Sequence, residues 1–233
     1  MIKERVLVTG GASGIGASCA KRCIEDGYDV IIVDRIGDGI LADLSDVEQT
    51  ASALEKALQG GPITRLINNV GIVRPADIEH QSLEDLDAVF AVNTRCAMQC
   101  AKALLPSMKE AGFGRIVNVT SRAALGKELR SAYAASKAAL IGLTRVWSLE
   151  LGRYGITTNA IGPGPIRTTL FEKVNPAGDP RTEAIIRGIP VQRVGEPEDV
   201  AQAVSFFLDR RSGFVTGQTL YVCGGMTVGA SGI

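Results

Sequence analysis

The sequence predicts an α/β protein built on a doubly wound, mostly parallel sheet with helices on both faces. Short apolar, β-branched runs alternate with amphipathic stretches along the whole chain, and strands of that kind are covered on both sides. The first such run ends in a glycine cluster that opens a helix. The composition is 45% hydrophobic and 21% charged over 233 residues, enough chain to bury roughly 70–75% of its unfolded surface. No repeat, low-complexity tract or linker interrupts it, so residues 1–233 are expected to form one domain.

The elements follow in order. Arg5–Thr9 (RVLVT) reads as a buried strand entering a tight turn. Ser13–Gly27 reads as a helix with Ile15, Cys19 and Ile24 as its apolar positions and Gly27 closing it. Asp29–Val33 is a second strand. Asp46–Leu58 is a helix with Val47, Ala51, Leu54 and Leu58 on one stripe, and Ile63–Asn68 is a third strand. Ser82–Ala111 is helical, capped at Ser82 and Asp85, with a break expected near Pro106. Arg115–Val119 is a strand, Ser131–Tyr154 a long helix and Ile156–Ile161 another strand. Residues Thr168–Gly188 read as polar and irregular; Glu198–Leu208 is a helix and Thr219–Val222 a last strand.

Charge excludes whole classes of function. With 25 Lys and Arg against 25 Asp and Glu, the chain lacks the basic footprint that nucleic acid or an anionic membrane surface demands. The longest uncharged run, Ser212–Ile233, contains too many Gly, Thr, Ser and Gln residues for a membrane span. The N-terminal residues show no signal-peptide pattern, so a cytoplasmic location is expected. Cys19/Cys23 and Cys96/Cys100 are each spaced to share a helix face. They read as small core residues rather than a redox or metal pair, because His80 is the only histidine, and no metal site is expected.

Two motifs carry chemistry. In Thr9-Gly10-Gly11-Ala12-Ser13-Gly14-Ile15-Gly16, glycines between a strand and a helix let the backbone approach a pyrophosphate. The charge of that group would rest on the helix's first N–H groups and dipole. Gly10, Ser13, Gly14, Ile15 and Gly16 are therefore candidate dinucleotide contacts. Asp34, closing the second strand, can accept both adenosine ribose hydroxyls and repel a 2′-phosphate, which favours NAD over NADP; the neighbouring Arg35 leaves room for the phosphate. In the second motif, Tyr133 and Lys137 share one face of a helix. An ammonium about 5 Å from a phenol, at an effective dielectric near 20, is worth about 3 kcal/mol toward ionising it. Burial acts in the opposite sense, so the net sign rests on Lys137 staying charged and close. Ser121, just past a strand end, can hydrogen-bond a substrate carbonyl.

Together these residues resemble the short-chain dehydrogenase/reductase family, over nearly the whole chain. Asn68-Asn69-Val70-Gly71 is similar to the family's Asn-Asn-Ala-Gly, Asn93 to its central-helix Asn, and Ser121, Tyr133 and Lys137 to its catalytic set. Pro163-Gly164…Thr168 is similar to its Pro-Gly segment. The resemblance implies a Rossmann-like, seven-stranded sheet with an extra short strand near Ile40–Asp43. It implies that Asp43 and Leu44 meet the adenine, Asn69, Val70 and Gly71 line the cofactor groove, and Pro163, Gly164, Ile166 and Thr168 contact the nicotinamide side. Tyr133 would be the general acid–base. Lys137 would hold the nicotinamide ribose and depress the phenol pKa, Ser121 would orient the substrate oxygen, and Asn93 would anchor a water leading to Lys137.

The activity expected is NAD-dependent hydride transfer between nicotinamide and a small-molecule secondary alcohol or ketone, in a homotetramer or homodimer. Gly195–Ala201 and Val215–Leu220 are also similar to 3-oxoacyl-(acyl-carrier-protein) reductases, the alternative reading. A non-catalytic NAD(H) sensor on the same fold would be expected to have lost part of the serine–tyrosine–lysine set. Arg74, Arg122, Lys127, Arg130, Arg167, Arg181 and Arg187 lie in the loops around the site. They read either as solvated charges or as a grip for an anionic substrate group.

Overall fold

A computed structural model describes residues 3–229; Met1, Ile2 and residues 230–233, the end of the uncharged run, lie outside the described residues. Strands β1 (Arg5–Thr9), β2 (Asp29–Asp34), β3 (Ile40–Leu41), β4 (Arg65–Asn68), β5 (Gly114–Val119), β6 (Ile156–Pro163) and β7 (Thr219–Val222) pair in parallel in the order β3-β2-β1-β4-β5-β6-β7. The helices are α1 (Gly14–Glu25), α2 (Val47–Gln59), α3 (Leu83–Phe90), α4 (Cys96–Glu110), α5 (Ser131–Leu151), α6 (Thr169–Val174), α7 (Pro180–Arg187) and α8 (Pro197–Leu208).

The pleat divides the apolar strand residues between two cores. Leu7, Leu66 and Ile116, register partners across β1, β4 and β5, face Leu54 of α2 and Cys96, Cys100, Leu104 and Met108 of α4. Val6, Val8, Ile67 and Val117 face Cys19, Ala20 and Cys23 of α1 and Val200, Val204 and Phe207 of α8. Each cysteine pair is thus core packing on one side of the sheet, and burial pushes the Cys19 and Cys23 thiols up to about 12. β1 pairs with both β2 and β4, so the chain reverses direction across the sheet there. A crevice opens beyond the strand C-termini at such a reversal.

A polar seam crosses the first core. Asn68 and Asn118 are register partners, and Asn68 Nδ2 donates to Asn118 Oδ1 at 2.8 Å. Asn118 Nδ2 donates in turn to Thr144 Oγ1 of α5 at 2.9 Å.

Several elements differ from expectation. Pro106 stands inside α4 without breaking it. Leu104 and Met108, both fully buried, pack the helix on either side of it and offset a proline cost of about 3 kcal/mol in a helix interior. The irregularity lies earlier, in a π-helical turn at Ala91–Arg95 between α3 and α4. The stretch expected to be irregular holds two short helices. Thr168 Oγ1 caps α6 by accepting the Phe171 amide at 3.2 Å, and Asp179 Oδ1 caps α7 from the Arg181 amide at 2.7 Å, with Pro180 at the first helical position. The extra strand spans only Ile40–Leu41. Arg65 opens β4 fully buried, its guanidinium 4.4 Å from the ring centre of Tyr28 and 4.7 Å from that of Phe113.

Candidate active site

The glycine turn after β1 lies at the strand reversal. Gly10 and Gly14 hold φ of +66° and +53°, backbone that glycine adopts without strain. A Cβ at Gly16 would stand 2.0 Å from the Gly10 carbonyl oxygen, so the turn folds tightly onto the first turn of α1. Ser13 makes no side-chain cap there, and the first turn of α1 carries no acid. Its amide hydrogens are left for an anion. The Ile15 side chain packs into the second core, so only its backbone serves the turn.

Neighbouring strand ends brace this turn. Asn69 Nδ2 donates to the carbonyls of Thr9 and Gly10 at 3.0 and 2.9 Å, and Thr9 Oγ1 accepts the Asn69 and Val70 amides at 3.1 and 3.2 Å. Asp34 Oδ2 accepts the Ala12 amide at 3.0 Å and its Oδ1 accepts the Arg35 amide at 2.7 Å. Arg35 is exposed beside it. Asp43 Oδ1 accepts the Ser45 amide and hydroxyl at 2.9 and 2.7 Å; those bonds hold its carboxyl below the ordinary range. Leu44 follows it directly, its side chain buried in the first core.

Ser121, Tyr133 and Lys137 come together at the far side of the crevice. Lys137 Nζ lies 5.9 Å from the Tyr133 ring centre, so the two share one face of α5. Nζ donates to the Val119 carbonyl at 2.8 Å, and burial brings the ammonium down to about 8. Burial also pushes the Tyr133 phenol up, while the Ser121 hydroxyl and the Arg130 charge pull it back. The expected depression of the phenol is therefore reversed. Lys137 is itself desolvated, and the cost of burying a phenolate outweighs what its neighbours return. Ser121 Oγ accepts the Ala123 amide at 3.0 Å.

Asn93 sits in the π-helical turn, a geometry frequent at functional sites. Its Oδ1 accepts the Ile72 amide at 2.8 Å, and its Nδ2 donates to the Ile72 carbonyl at 3.1 Å and to Ser136 Oγ at 3.0 Å. Ser136 Oγ donates to the Tyr133 carbonyl at 2.8 Å. The amide hydrogens of Asn93 thus hold protein rather than solvent. A Cβ at Gly71 would stand 3.2 Å from Lys137 Nζ and 3.3 Å from Asn93 Oδ1, so this glycine keeps the crevice open beside the ammonium. Ser136 and Ile72 were not singled out from the sequence. The signal for Ser136 was its position one turn after Tyr133, where a hydroxyl bonds back to the helix.

The family model described as enoyl-(acyl carrier protein) reductase matches residues 10–227. The chain belongs to the short-chain dehydrogenase/reductase family. It is an oxidoreductase acting on CH–OH and keto groups. The (2S)-[(R)-hydroxy(phenyl)methyl]succinyl-CoA dehydrogenase subunit BbsD of Thauera aromatica is 36% identical, over 97% of this chain and 98% of its own length. The 3-oxoacyl-[acyl-carrier-protein] reductase FabG of Thermotoga maritima is 34% identical, over 95% and 97%. The ligand-free aldohexose dehydrogenase of Thermoplasma acidophilum superposes with a TM-score of 0.92 at 31% identity, covering 98% of this chain and 95% of that one.

In this short-chain dehydrogenase/reductase the Pro-Gly segment closes the crevice from the β6 side. The Thr168 side chain lies 3.4 Å from where a Cβ on Gly14 would sit, bringing the segment against the glycine turn. Gly164 packs on Cys223, 2.8 Å from its would-be Cβ, and Pro163 ends β6. Ile166 is buried in the second core. A cavity of about 320 Å³ beside Pro165 and Ile166 is lined by Ile189, Val191, Leu220 and Tyr221 and reaches neither Ser121 nor Tyr133. Among the described residues no helix is long and apolar enough to cross a membrane.

Proposed function

We propose that the protein is an NAD-dependent dehydrogenase/reductase of secondary alcohols and ketones, with Tyr133 as general acid–base. The observation that carries this reading is the meeting of Ser121, Tyr133 and Lys137 across the crevice from a bare glycine turn. The turn fits a dinucleotide: positive-φ glycines, uncapped helix amides and no acid in the first turn suit a pyrophosphate. Gly10, Ser13, Gly14, Ile15 and Gly16 would hold that group through their backbone. Asp34 and Arg35 would meet the adenosine ribose, and Asp43 and Leu44 the adenine. Asn69, Val70, Gly71, Tyr133 and Lys137 would meet the nicotinamide ribose, and Pro163, Gly164, Ile166 and Thr168 the nicotinamide side. When bound, NAD supplies or accepts the hydride.

The residues supply the rest. Ser121 holds the substrate oxygen by a hydrogen bond that strengthens as charge develops there. Tyr133 gives its phenolic proton to that oxygen in reduction and takes the hydroxyl proton in oxidation. Burial makes the phenol a weaker acid, and the Ser121 hydroxyl and the Arg130 charge draw it back toward the range in which it passes a proton. Lys137, brought down to about 8, exchanges a proton near neutrality and can reload the phenol. Asn93 fixes the end of β4 and the start of α5 relative to each other through Ile72 and Ser136. Asp34 favours NAD because a second anion on the ribose would meet its carboxylate.

The relatives named BbsD and FabG favour a second reading, reduction of a 3-oxoacyl thioester. We further infer assembly into a homotetramer or homodimer through α4 and α5, where Met98, Val146 and Leu149 are 48%, 49% and 85% exposed. The test is absorbance of reduced nicotinamide across a panel of alcohols, ketones and acetoacetyl-CoA, with NAD and NADP compared, in wild type and Tyr133→Phe. We expect turnover with NAD that falls by about 10²–10⁴ in the variant, the range of a lost general acid–base, with NAD binding retained. Equal rates in the two proteins overturn the assignment.

A further inference from the structure

Resting on the dehydrogenase reading, we propose that Thr120 is a positioning residue whose hydroxyl fixes the Lys137 ammonium where it would hold the nicotinamide ribose. Thr120 stands between Val119, the last residue of β5, and Ser121. Its side chain is buried, and Thr120 Oγ1 donates to the Lys137 carbonyl at 2.6 Å.

Two consecutive residues thus hold one lysine at its two ends. The Val119 carbonyl accepts Lys137 Nζ at 2.8 Å, while Thr120 Oγ1 holds the backbone of the same lysine. Thr120 is itself tied to the sheet, its amide donating to the Ile161 carbonyl of β6 at 2.7 Å. Val119 lies one residue past the last register pair of β4 and β5, Asn68 and Asn118, so the clasp sits where that pairing ends. With stem and tip both referred to β5, Nζ is kept 5.9 Å from the Tyr133 ring centre.

This lysine needs holding. An ammonium has three N–H groups, and Val119 takes one of them. Burial brings the group down to about 8, the mark of a charge drawn toward water. A flexible four-carbon stem follows such a pull unless its root and its tip are both fixed. The hydroxyl bond is not required by the helix. Residue 137 lies inside α5, where its carbonyl has the Ile141 amide as helical partner, and Thr120 uses the second lone pair. Thr94 Oγ1, from the π-helical turn, donates to the neighbouring Ser136 carbonyl at 3.2 Å. The end of β5 and the π-helical turn therefore both grip the stretch of α5 that carries Lys137.

A double-mutant cycle separates positioning from plain support of the fold. NADH binding is read by its fluorescence in wild type, Thr120→Val, Lys137→Met and the double variant. Valine keeps the shape of threonine, and the Lys137 carbonyl keeps its helical bond; Thr120→Ala carries the same cycle should valine prevent folding. We expect Thr120→Val to weaken NADH about fivefold, the loss of one neutral hydrogen bond, and to change nothing further once Lys137 is replaced. Thr120→Ser, which keeps the hydroxyl, should bind NADH as wild type does. An equal effect of Thr120→Val in both backgrounds, no effect in either, or a serine variant as weak as valine overturns the proposal. None of these touches the dehydrogenase reading, which stands while Tyr133→Phe loses turnover. Coupling in the cycle with undiminished turnover in Tyr133→Phe does the reverse, and a wild type that binds no NADH overturns both.

Discussion

Asp34 closes the glycine turn through Ala12: its Oδ2 accepts the Ala12 amide at 3.0 Å while Oδ1 accepts the amide of Arg35. The residue proposed to choose the cofactor therefore also shapes the loop that would hold it. Asp34→Ser should shift preference toward NADP, read as the ratio of kcat/KM for the two cofactors. It should also raise KM for both, because the turn loses a charged acceptor worth roughly 1.5–3 kcal/mol. A variant that changes preference with no loss in NAD KM would separate the two roles.

Lys137 makes stability depend on pH in a defined window. Its folded pKa of about 8 lies below the ordinary lysine value of 10.5, so between those values the unfolded chain binds the extra proton. Stability then rises with pH across the window. At pH 7 both states are protonated and the full cost of the buried charge is present, on the order of 3 kcal/mol. Lys137→Met should melt higher than wild type at pH 7, and the difference should close as pH rises from about 8 to 10.5. Melting curves of the pair at matched pH check this; a constant difference would show that the ammonium is not desolvated.

Asn93→Ala should cost both stability and rate. Asn93 is 1% exposed, and its removal leaves the Ile72 amide and carbonyl without their partner and takes from the Ser136 hydroxyl the bond it accepts, while the one it donates to the Tyr133 carbonyl remains. Each buried orphan costs about 1–3 kcal/mol. We expect a fall in denaturant midpoint together with a lower kcat, because Ser136 links to the Tyr133 carbonyl. Asn93→Asp, which keeps the acceptor and loses the donors, should fall between the two.

The sheet and its two cores were legible because short continuous apolar runs and helical stripes are local signals, as Leu7, Leu66 and Leu104 illustrate. Pro106 misled because a proline's local cost is set against burial that only the packed helix shows. The helices α6 and α7 were marked by Thr168 and by Asp179-Pro180, but at 6 and 8 residues each is too short for its apolar positions to repeat as a helical stripe. In the candidate site, spacing placed Tyr133 and Lys137 on one face. It could not weigh burial against charge, which is decided by how deeply the fold sinks both groups. Arg65 was invisible for the same reason: its rings, Tyr28 and Phe113, come from distant parts of the chain.

The amide ladder from Asn68 through Asn118 to Thr144 has a consequence for how the chain finds its native arrangement. Within an oily layer that tolerates many alignments, it is a polar key with one fitting position. Sliding β4 against β5, or rotating α5, strands carboxamides away from water and raises the energy of each misdocked form. The crevice above these strands thereby inherits its alignment from residues that never touch a ligand.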